Sequence, residues 1–171
     1  MPTRDLIMWT IMIRAYSEGG NAYESLGLFD LMMENGVPLD KFAVVTVVSA
    51  CAKLGAMNKA RLVRDYVRGK KFPLDVVLGT AMIDMYSKCG CIDYARDVFV
   101  EMREKNVVSW STMIAACGYH GRGREAIDEF YMMLRSRTLP NAITFVSLLF
   151  ACSHAGLIEE GLRFFSSMWE E

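Results

Sequence analysis

Apolar residues recur along this chain at intervals of three and four residues, as in Trp9, Met12, Ile13 and Tyr16. That spacing places them on one face of an α-helix. After a glycine, a second amphipathic run follows, as in "CGCIDYARDVFVEM". The pattern therefore predicts pairs of helices, which we call helix A and helix B, joined by a short glycine-containing turn.

The helix pair is repeated five times. The copies align without gaps, and their turn glycines are separated by 35, 35, 31 and 35 residues: Gly20, Gly55, Gly90, Gly121 and Gly156. Glycine adopts positive φ at little cost, so we expect each of these residues to end helix A. Prolines, which break helices, fall between copies at Pro38, Pro73 and Pro140. The copy with the short spacing lacks this proline segment. We expect its four missing residues to shorten only the end of helix B and the linker that follows.

Helix B carries two further recurring positions. Five residues after the glycine stands a small residue, which permits close approach to helix A: Ser25, Ala60, Ala95, Ala126 and Gly161. At the next turn four copies have phenylalanine, at Phe29, Phe99, Phe130 and Phe165, and the second copy has Arg64. A single hairpin cannot bury both of its faces, so neighbouring copies must stack. The predicted fold class is an all-α solenoid.

Composition limits the classes of function. The 171 residues are 53% hydrophobic and 23% charged, which suits a chain with a substantial core. The longest apolar stretch, "FAVVTVVSACA", is shorter than the about 20 residues needed to span a bilayer, so no membrane partner is expected. The start, "MPTRDLIMW", has no secretory signature, and five cysteines in such a chain favour a reducing compartment. The formal net charge of -1 weakens any nucleic-acid function that rests on phosphate attraction alone.

Cys89 and Cys91 raise the question of a metal or redox site. Lys88 beside them could lower a thiol pKa, and two thiolates could form half of a zinc site. No other repeat has metal ligands in this turn, however, and Cys51, Cys117 and Cys152 occupy one inward position in three different repeats. Since the chain also lacks phosphate-binding, nucleophile-elbow and deaminase motifs, we expect no metal, no cofactor and no catalytic residue.

The repeats resemble those of the pentatricopeptide repeat family. The stretch "VVSWSTMIAACGYHGRGREAIDEFYMMLRSRTLPN" is similar to the family consensus over nearly its whole length. By this resemblance, repeats 1 and 4 (6–40 and 107–141) are of the standard type, repeat 3 (76–106) is of the short type, and repeats 2 and 5 (41–75 and 142–171) are of the long type, the last being incomplete. By the same resemblance, residues 1–5 are expected to be the tail of a preceding short repeat. Mixed repeat types are characteristic of the plant subfamily that specifies organellar RNA editing sites, and they imply a right-handed α-solenoid.

The resemblance implies single-stranded RNA as the partner, with about one base read per repeat. The base-reading residues would be the fifth and last residues of a repeat: Thr10 with Asp40, Thr80 with Asn106, and Ser111 with Asn141. The second residues Ile7, Val77 and Val108 would sandwich the bases. The long repeats have Val45 and Val146 at the fifth position, so these repeats, and Asp75, which closes repeat 2, are expected to read weakly or not at all.

Three alternatives remain open. Thr and Asp at these positions are also common helix-capping residues. The low net charge is equally compatible with a protein scaffold that binds accessory editing-factor proteins. Apolar residues of the terminal repeats, among them Phe164, Phe165 and Trp169, could drive self-association. The family points to a mitochondrion or chloroplast, with the transit peptide outside this sequence.

Overall fold

The computed structural model describes residues 2–168, and the side chains of residues 7–168 within them. All regular secondary structure in this range is helical: α1 (Pro2–Glu18), α2 (Ala22–Glu34), α3 (Lys41–Leu54), α4 (Met57–Gly69), α5 (Val76–Lys88), α6 (Ile92–Glu101), α7 (Val107–Tyr119), α8 (Gly123–Arg135), α9 (Ala142–His154) and α10 (Ile158–Ser167). The all-α prediction is confirmed. No helix in the described range has the length and hydropathy needed to cross a membrane.

The helices pair as the sequence indicated, with odd-numbered helices as helix A and even-numbered helices as helix B. Four A helices start at the first residues of repeats 2 to 5, namely Lys41, Val76, Val107 and Ala142. Helix α1 instead starts at Pro2, within the segment expected to be the tail of a preceding repeat. The assignment of each repeat to the standard, long or short type stays a prediction.

The chain divides into two compact lobes, Met1–Pro73 and Leu74–Glu171. In the first lobe, α1 and α2 both pack against α3. In the second lobe, α5 packs against α7 and α7 against α9, while α6 and α8 each pack against the A helix that follows. Within each lobe the A helices thus form one layer, and α2, α6 and α8 each cover the junction between two repeats. Self-association through Phe164, Phe165 and Trp169 stays a prediction, and Trp169 lies outside the described range.

The turn glycines close every hairpin in the same way. All five have positive φ, between 59° and 80°. At Gly55, for example, the next residue, Ala56, donates its N–H to the carbonyl of Cys51 at 3.0 Å. This is the Schellman arrangement, which satisfies carbonyls left without partners at the helix end. The predicted role of these glycines is confirmed.

Small residues allow helix B to approach helix A closely. Ser25, Ala60, Ala95 and Ala126 are fully buried. Ser25 also donates its hydroxyl to the Ile13 carbonyl at 3.1 Å, which ties α2 to α1. The expected close approach of the two helices is confirmed at these positions.

The short spacing of repeat 3 changes only the end of its helix B. Helix α6 has 10 residues, whereas α2, α4 and α8 have 13. The chain leaves α6 in an extended conformation at Met102, whose side chain fills the space beside Gly79. A Cβ atom at Gly79 would lie 2.6 Å from the Met102 sulfur, so a larger residue would not fit there. The expectation that the residues missing from repeat 3 shorten only the end of helix B and its linker is confirmed.

The turn geometry predicts opposite effects for two glycines of the first lobe. Replacing Gly55 by alanine should destabilise the lobe by about 0.5–1 kcal/mol, because left-handed backbone is unfavourable for an L-residue. Gly27 lies inside α2, where an added Cβ meets nothing within 4 Å, so Gly27→Ala should stabilise by about 0.5–1 kcal/mol. Urea denaturation of both variants measures the difference, and shifts of the same sign would contradict the assignment.

Candidate functional site

The second residue of each repeat is an exposed apolar side chain. In the first lobe these residues are Ile7, 60% exposed, and Phe42, 49% exposed. In the second lobe they are Val77, Val108 and Ile143, which are between 54% and 66% exposed. Three of the five are the predicted sandwiching residues. The analysis of the sequence did not name Phe42 and Ile143, although the repeat register places them at the same position in the long repeats.

The closing residue of each repeat caps the A helix of the next one. Asp40, Asp75, Asn106 and Asn141 are the N-caps of α3, α5, α7 and α9. Each side-chain oxygen accepts a backbone N–H three residues further on, at 2.7 to 3.1 Å. The capping interpretation is therefore confirmed for the closing residues, whereas Thr10 and Thr80 lie inside α1 and α5 and are not N-caps. The cap of each closing residue uses only one of its side-chain polar atoms, and the other atom decides what a ligand would meet.

Capping leaves asparagine and aspartate with opposite exposed groups. Asn106 Oδ1 accepts from the N–H groups of both Val108 and Ser109 at 3.0 Å, so its two lone pairs are occupied. The remaining Nδ2 group can only donate hydrogen bonds. Asp40 uses Oδ1 for the cap, and its second oxygen, Oδ2, can only accept. The same cap thus presents donors in one repeat and an acceptor in another.

Two residues that the sequence analysis missed hold the asparagines in place. Ser109 and Thr144 complete capping boxes, since their hydroxyl oxygens accept the backbone N–H of Asn106 at 2.9 Å and of Asn141 at 3.1 Å. The repeats closed by aspartate have Ala43 and Leu78 at this position. The spacing of asparagine followed three residues later by serine or threonine, in "NVVS" and "NAIT", is the signal that could have identified them.

The structure connects two of the three predicted reading pairs. Thr10 Oγ1 lies 3.5 Å from Asp40 Oδ2, at the outer limit of a hydrogen bond. The Ser111 and Asn141 side chains are connected through Thr144, whose hydroxyl lies 2.8 Å from Ser111 Oγ and 3.1 Å from Asn141 Oδ1. Ser111 is buried and also donates to the Val107 carbonyl at 2.8 Å.

The third pair differs from the other two. The Thr80 hydroxyl is buried and has no hydrogen-bond partner among the described residues, and no bond joins it to Asn106 there. A buried hydroxyl without a partner is destabilising. Thr80 therefore stands apart from the hydrogen bonds that connect the other two pairs.

The fifth residues of the long repeats offer no polar group. Val45 is half-buried in α3, and Val146 is 64% exposed on α9. Neither side chain can form a hydrogen bond. The prediction that these repeats do not read a base, with Asp75 serving only as a cap in repeat 2, is consistent with this placement but is not tested by it.

A groove in the second lobe brings the predicted residues of repeat 4 together. It encloses about 210 Å³, and its lining includes Val108, Ser111, Asn141 and Ile143. Its lining also includes Asp84, Ser87 and Lys88 from α5, together with Tyr119 near the end of α7. Apolar side chains and a polar reading pair therefore share one open groove on the helix A layer.

The groove contains little net charge. Lys88 Nζ lies 2.8 Å from Asp84 Oδ2, and both side chains are about half exposed. An exposed pair of this kind is weak, but it neutralises the cation locally. In the first lobe, the equivalent lysine, Lys53, donates to the Ser17 carbonyl at 3.4 Å. This surface therefore offers apolar and hydrogen-bonding groups rather than a concentration of positive charge.

The cysteine turn does not have the features of a reactive or metal-binding site. Cys89 and Cys91 end α5 and precede α6 around Gly90. Burial, and secondarily Cys91, raise the pKa of the Cys89 thiol, which is the opposite of activation by Lys88. Burial likewise raises the pKa of Cys117 to about 12. Within residues 2–168, no three His, Cys, Asp or Glu side chains are grouped so that they could hold a metal ion.

Comparison with known proteins identifies the repeats. The profile of the "PPR repeat family" matches residues 105–154, and the "PPR repeat" profile matches residues 7–37, 80–107 and 143–171. The Arabidopsis thaliana pentatricopeptide repeat-containing protein CRR2, chloroplastic, is 39% identical over 100% of this chain and 26% of its own length. At4g31070, mitochondrial, from the same plant, is 39% identical over 95% of this chain and 26% of its own length.

Solved structures show the same fold. PPR10 in complex with an 18-nt psaJ RNA element, where PPR10 is a pentatricopeptide repeat protein from maize, matches with a TM-score of 0.82 and 21% identity. The match covers 96% of this chain and 25% of that one. This likeness shows the α-solenoid fold of stacked hairpins. The chain spans about a quarter of the length of the curated relatives that it matches.

The cysteine turn can be tested by replacement. The double variant Cys89→Ser/Cys91→Ser should change the free energy of unfolding by no more than about 0.5 kcal/mol, because the turn depends on Gly90. Cys152→Ser, a matched control at a buried position, should cost about 1 kcal/mol or more. Since the Cys89 pKa is raised, alkylation of Cys89 by iodoacetamide should be slower at neutral pH than that of an ordinary exposed thiol and should still be accelerating above pH 9. Stoichiometric zinc that is lost in the double variant would refute this assignment.

Proposed function

The chain belongs to the pentatricopeptide repeat family, and we propose that it is a sequence-specific array for single-stranded RNA, reading about one base per repeat. The observation that carries this proposal is the N-cap of the A helices. It fixes one polar atom of each closing residue against the backbone and leaves the other atom exposed. An exposed apolar side chain stands at the second position of each repeat.

Unpaired bases fit this combination of groups. The ring faces of a base would contact apolar second residues, as with Val108 and Ile143 in the groove of the second lobe. The edge of the base would meet the closing residue, as in other repeat proteins that read one base per repeat. Because this mode of binding uses faces and edges, it does not require a strongly basic surface. The net charge of -1 is then no obstacle.

The exposed atom of the closing residue selects between purines. Guanine presents N1–H and N2–H donors, which suit the acceptor Oδ2 of Asp40 in repeat 1. Adenine presents the acceptor N1, which suits the donor Nδ2 of Asn106 in repeat 3 and Asn141 in repeat 4. A fifth-position hydroxyl can donate or accept, so it can serve either purine. We propose the order guanine, any base, adenine, adenine, with repeat 5 unassigned.

The comparisons support the class of ligand and the compartment. The structure matched with a TM-score of 0.82 holds an 18-nt RNA element, and relatives carry the words chloroplastic or mitochondrial in their names. We assign this chain to the RNA-recognition part of an organellar RNA editing or processing factor in a plant of the mixed-repeat subfamily. Its part is binding, and we assign it no catalytic step.

A second function, protein binding, is favoured by the long repeat of the second lobe. Ile143 and Val146 are both about two-thirds exposed on α9, and neither can form hydrogen bonds with a base edge. An accessory editing-factor protein with an apolar surface would cover them. The two functions would share Ile143, which also lines the groove in which we place a base, so RNA and the partner protein would compete for that side chain.

The substitution Asn106→Asp tests the reading assignment. It keeps the N-cap of α7, because either side chain can accept the same backbone N–H groups, but it replaces exposed donors with an acceptor. Within a longer array of the same family, the substitution should switch the preferred third base from adenine to guanine. The expected change in discrimination is about 1–3 kcal/mol, measured by fluorescence anisotropy with RNAs that differ only at this base.

The matched control is Asp75→Asn in the long repeat 2. This substitution makes the reverse exchange at the N-cap of α5, replacing a carboxylate with an amide, but Val45 occupies the fifth position of that repeat. Base preference should not change. If Asn106→Asp weakens binding to all RNAs equally, Asn106 is only a cap. If the array binds no RNA and instead retains accessory proteins, the RNA proposal fails and the scaffold function replaces it.

A further inference from the structure

A buried threonine of repeat 5 connects the two reading residues of repeat 4. Thr144, the third residue of its repeat, has its hydroxyl oxygen 2.8 Å from Ser111 Oγ and 3.1 Å from Asn141 Oδ1. The same oxygen accepts the backbone N–H of Asn141 at 3.1 Å. Thr144 is fully buried, so it can influence a bound base only through Ser111 and Asn141, which line the groove of the second lobe.

The hydroxyl protons of this set are all used within the protein. Ser111 and Thr144 have one hydroxyl proton each, but three contacts between oxygen atoms need one. These contacts join Ser111 to the Val107 carbonyl, Ser111 to Thr144, and Thr144 to Asn141 Oδ1. Two protons can satisfy at most two of the three contacts, so neither is left for a ligand. The Ser111 oxygen can then only accept a hydrogen bond from a bound base.

Thr144 also completes the hydrogen bonds of the Asn141 amide. Asn141 Oδ1 accepts one backbone N–H, from Thr144 at 3.0 Å, and the Thr144 hydroxyl is its second partner. Asn106 does not need a hydroxyl for this purpose, because its Oδ1 accepts from two backbone N–H groups. The group that Asn141 leaves for a ligand is therefore Nδ2, which can only donate.

The other two reading pairs lack this connection. Ser109, at the position equivalent to Thr144, donates its hydroxyl to the Asn106 backbone carbonyl at 2.9 Å, and the Thr80 hydroxyl has no partner among the described residues. In the first lobe the equivalent residue is Ala43, which has no polar side chain. Of the three pairs, the one in repeat 4 has both members restricted by a hydroxyl of the next repeat.

An acceptor beside a donor matches the bases that carry an exocyclic amino group. Adenine presents the N6 amino group as a donor beside the acceptor N1, and cytosine presents the N4 amino group beside the acceptor N3. Guanine and uracil have a carbonyl oxygen and a ring N–H at these two places. They would set acceptor against acceptor and donor against donor, which leaves polar groups unpaired and is unfavourable.

We propose that Thr144 is a positioning residue for the base read by repeat 4, and that the pair it fixes, Ser111 with Asn141, selects adenine or cytosine over guanine and uracil. This inference rests on the proposed function and narrows it, because the hydroxyl of Ser111 no longer serves either purine. Adenine ranks first because its larger ring contacts more of the apolar side chains Val108 and Ile143. Cytosine ranks second because it presents the same two groups.

RNAs that differ only at the fourth base test this ranking without any substitution in the chain. Fluorescence anisotropy is measured with the whole chain inside the longer array used for Asn106→Asp. The affinity should fall in the order adenine, cytosine, then guanine and uracil, with about tenfold between the amino and the keto bases. Guanine or uracil above cytosine would overturn the proposal, since Ser111 would then be donating its proton to the base.

Substitutions of Thr144 test its role as a positioning residue. Thr144→Val keeps the shape of the side chain but removes the hydroxyl, so Asn141 Oδ1 gains a free lone pair that can accept a ring N–H. The preference for amino over keto bases should fall about tenfold at the fourth base and stay unchanged at the third. Thr144→Ser, which retains the hydroxyl, should keep the preference. Cys152→Ser, at a buried position of the same helix outside these contacts, should also keep it.

The outcomes separate this inference from the proposed function. A folded Thr144→Val array with unchanged discrimination at the fourth base would show that Thr144 is only part of a helix cap, and base reading by repeat 4 would stand. If circular dichroism shows that Thr144→Val does not fold, the ranking of the four bases by the unsubstituted array decides. An array that binds RNA with no base preference at any position would refute the proposed function, and this inference with it.

Discussion

The requirement that a helix N-terminus satisfy its backbone N–H groups determines the chemistry of this surface. Four A helices begin with an aspartate or asparagine whose oxygen accepts those groups. A side chain committed in this way cannot rotate freely, so its second polar atom has a fixed direction. A residue that would otherwise be a mobile surface group is thereby preorganised, and the same bond that starts the helix positions the atom that a ligand would contact.

The chemistry of the surface then depends on whether the capping residue is aspartate or asparagine. Both residue types cap well, so the stability of the helix does not distinguish them. They differ in what remains exposed, because the Asn106 oxygen has both lone pairs occupied while Asp40 keeps a second acceptor. In the proposed function, recognition would therefore change between repeats at almost no cost in folding free energy. This separation of stability from specificity is well suited to a modular array.

Stacking imposes the second constraint. Helices α2, α6 and α8 each cover the junction with the next A helix, and their phenylalanines, Phe29, Phe99 and Phe130, are buried there. A repeat contributes a stable core only together with its neighbours.

Local rules made much of this architecture predictable from the sequence. The period of the apolar residues determined the helices, and the turn glycines and small residues of helix B determined each hairpin, because both depend on residues close together in the chain. The pairing of Thr10 with Asp40, and of Ser111 with Asn141, also followed from the positions of these residues in the repeat. Tertiary packing alone decided which polar atoms stay available. It brings the Ser111 and Thr144 hydroxyls within 2.8 Å of each other, leaves the Thr80 hydroxyl without a partner among the described residues, and raises the pKa of Cys89 despite the neighbouring lysine. These outcomes depend on distances between helices about 30 residues apart in sequence, and no local pattern encodes such distances.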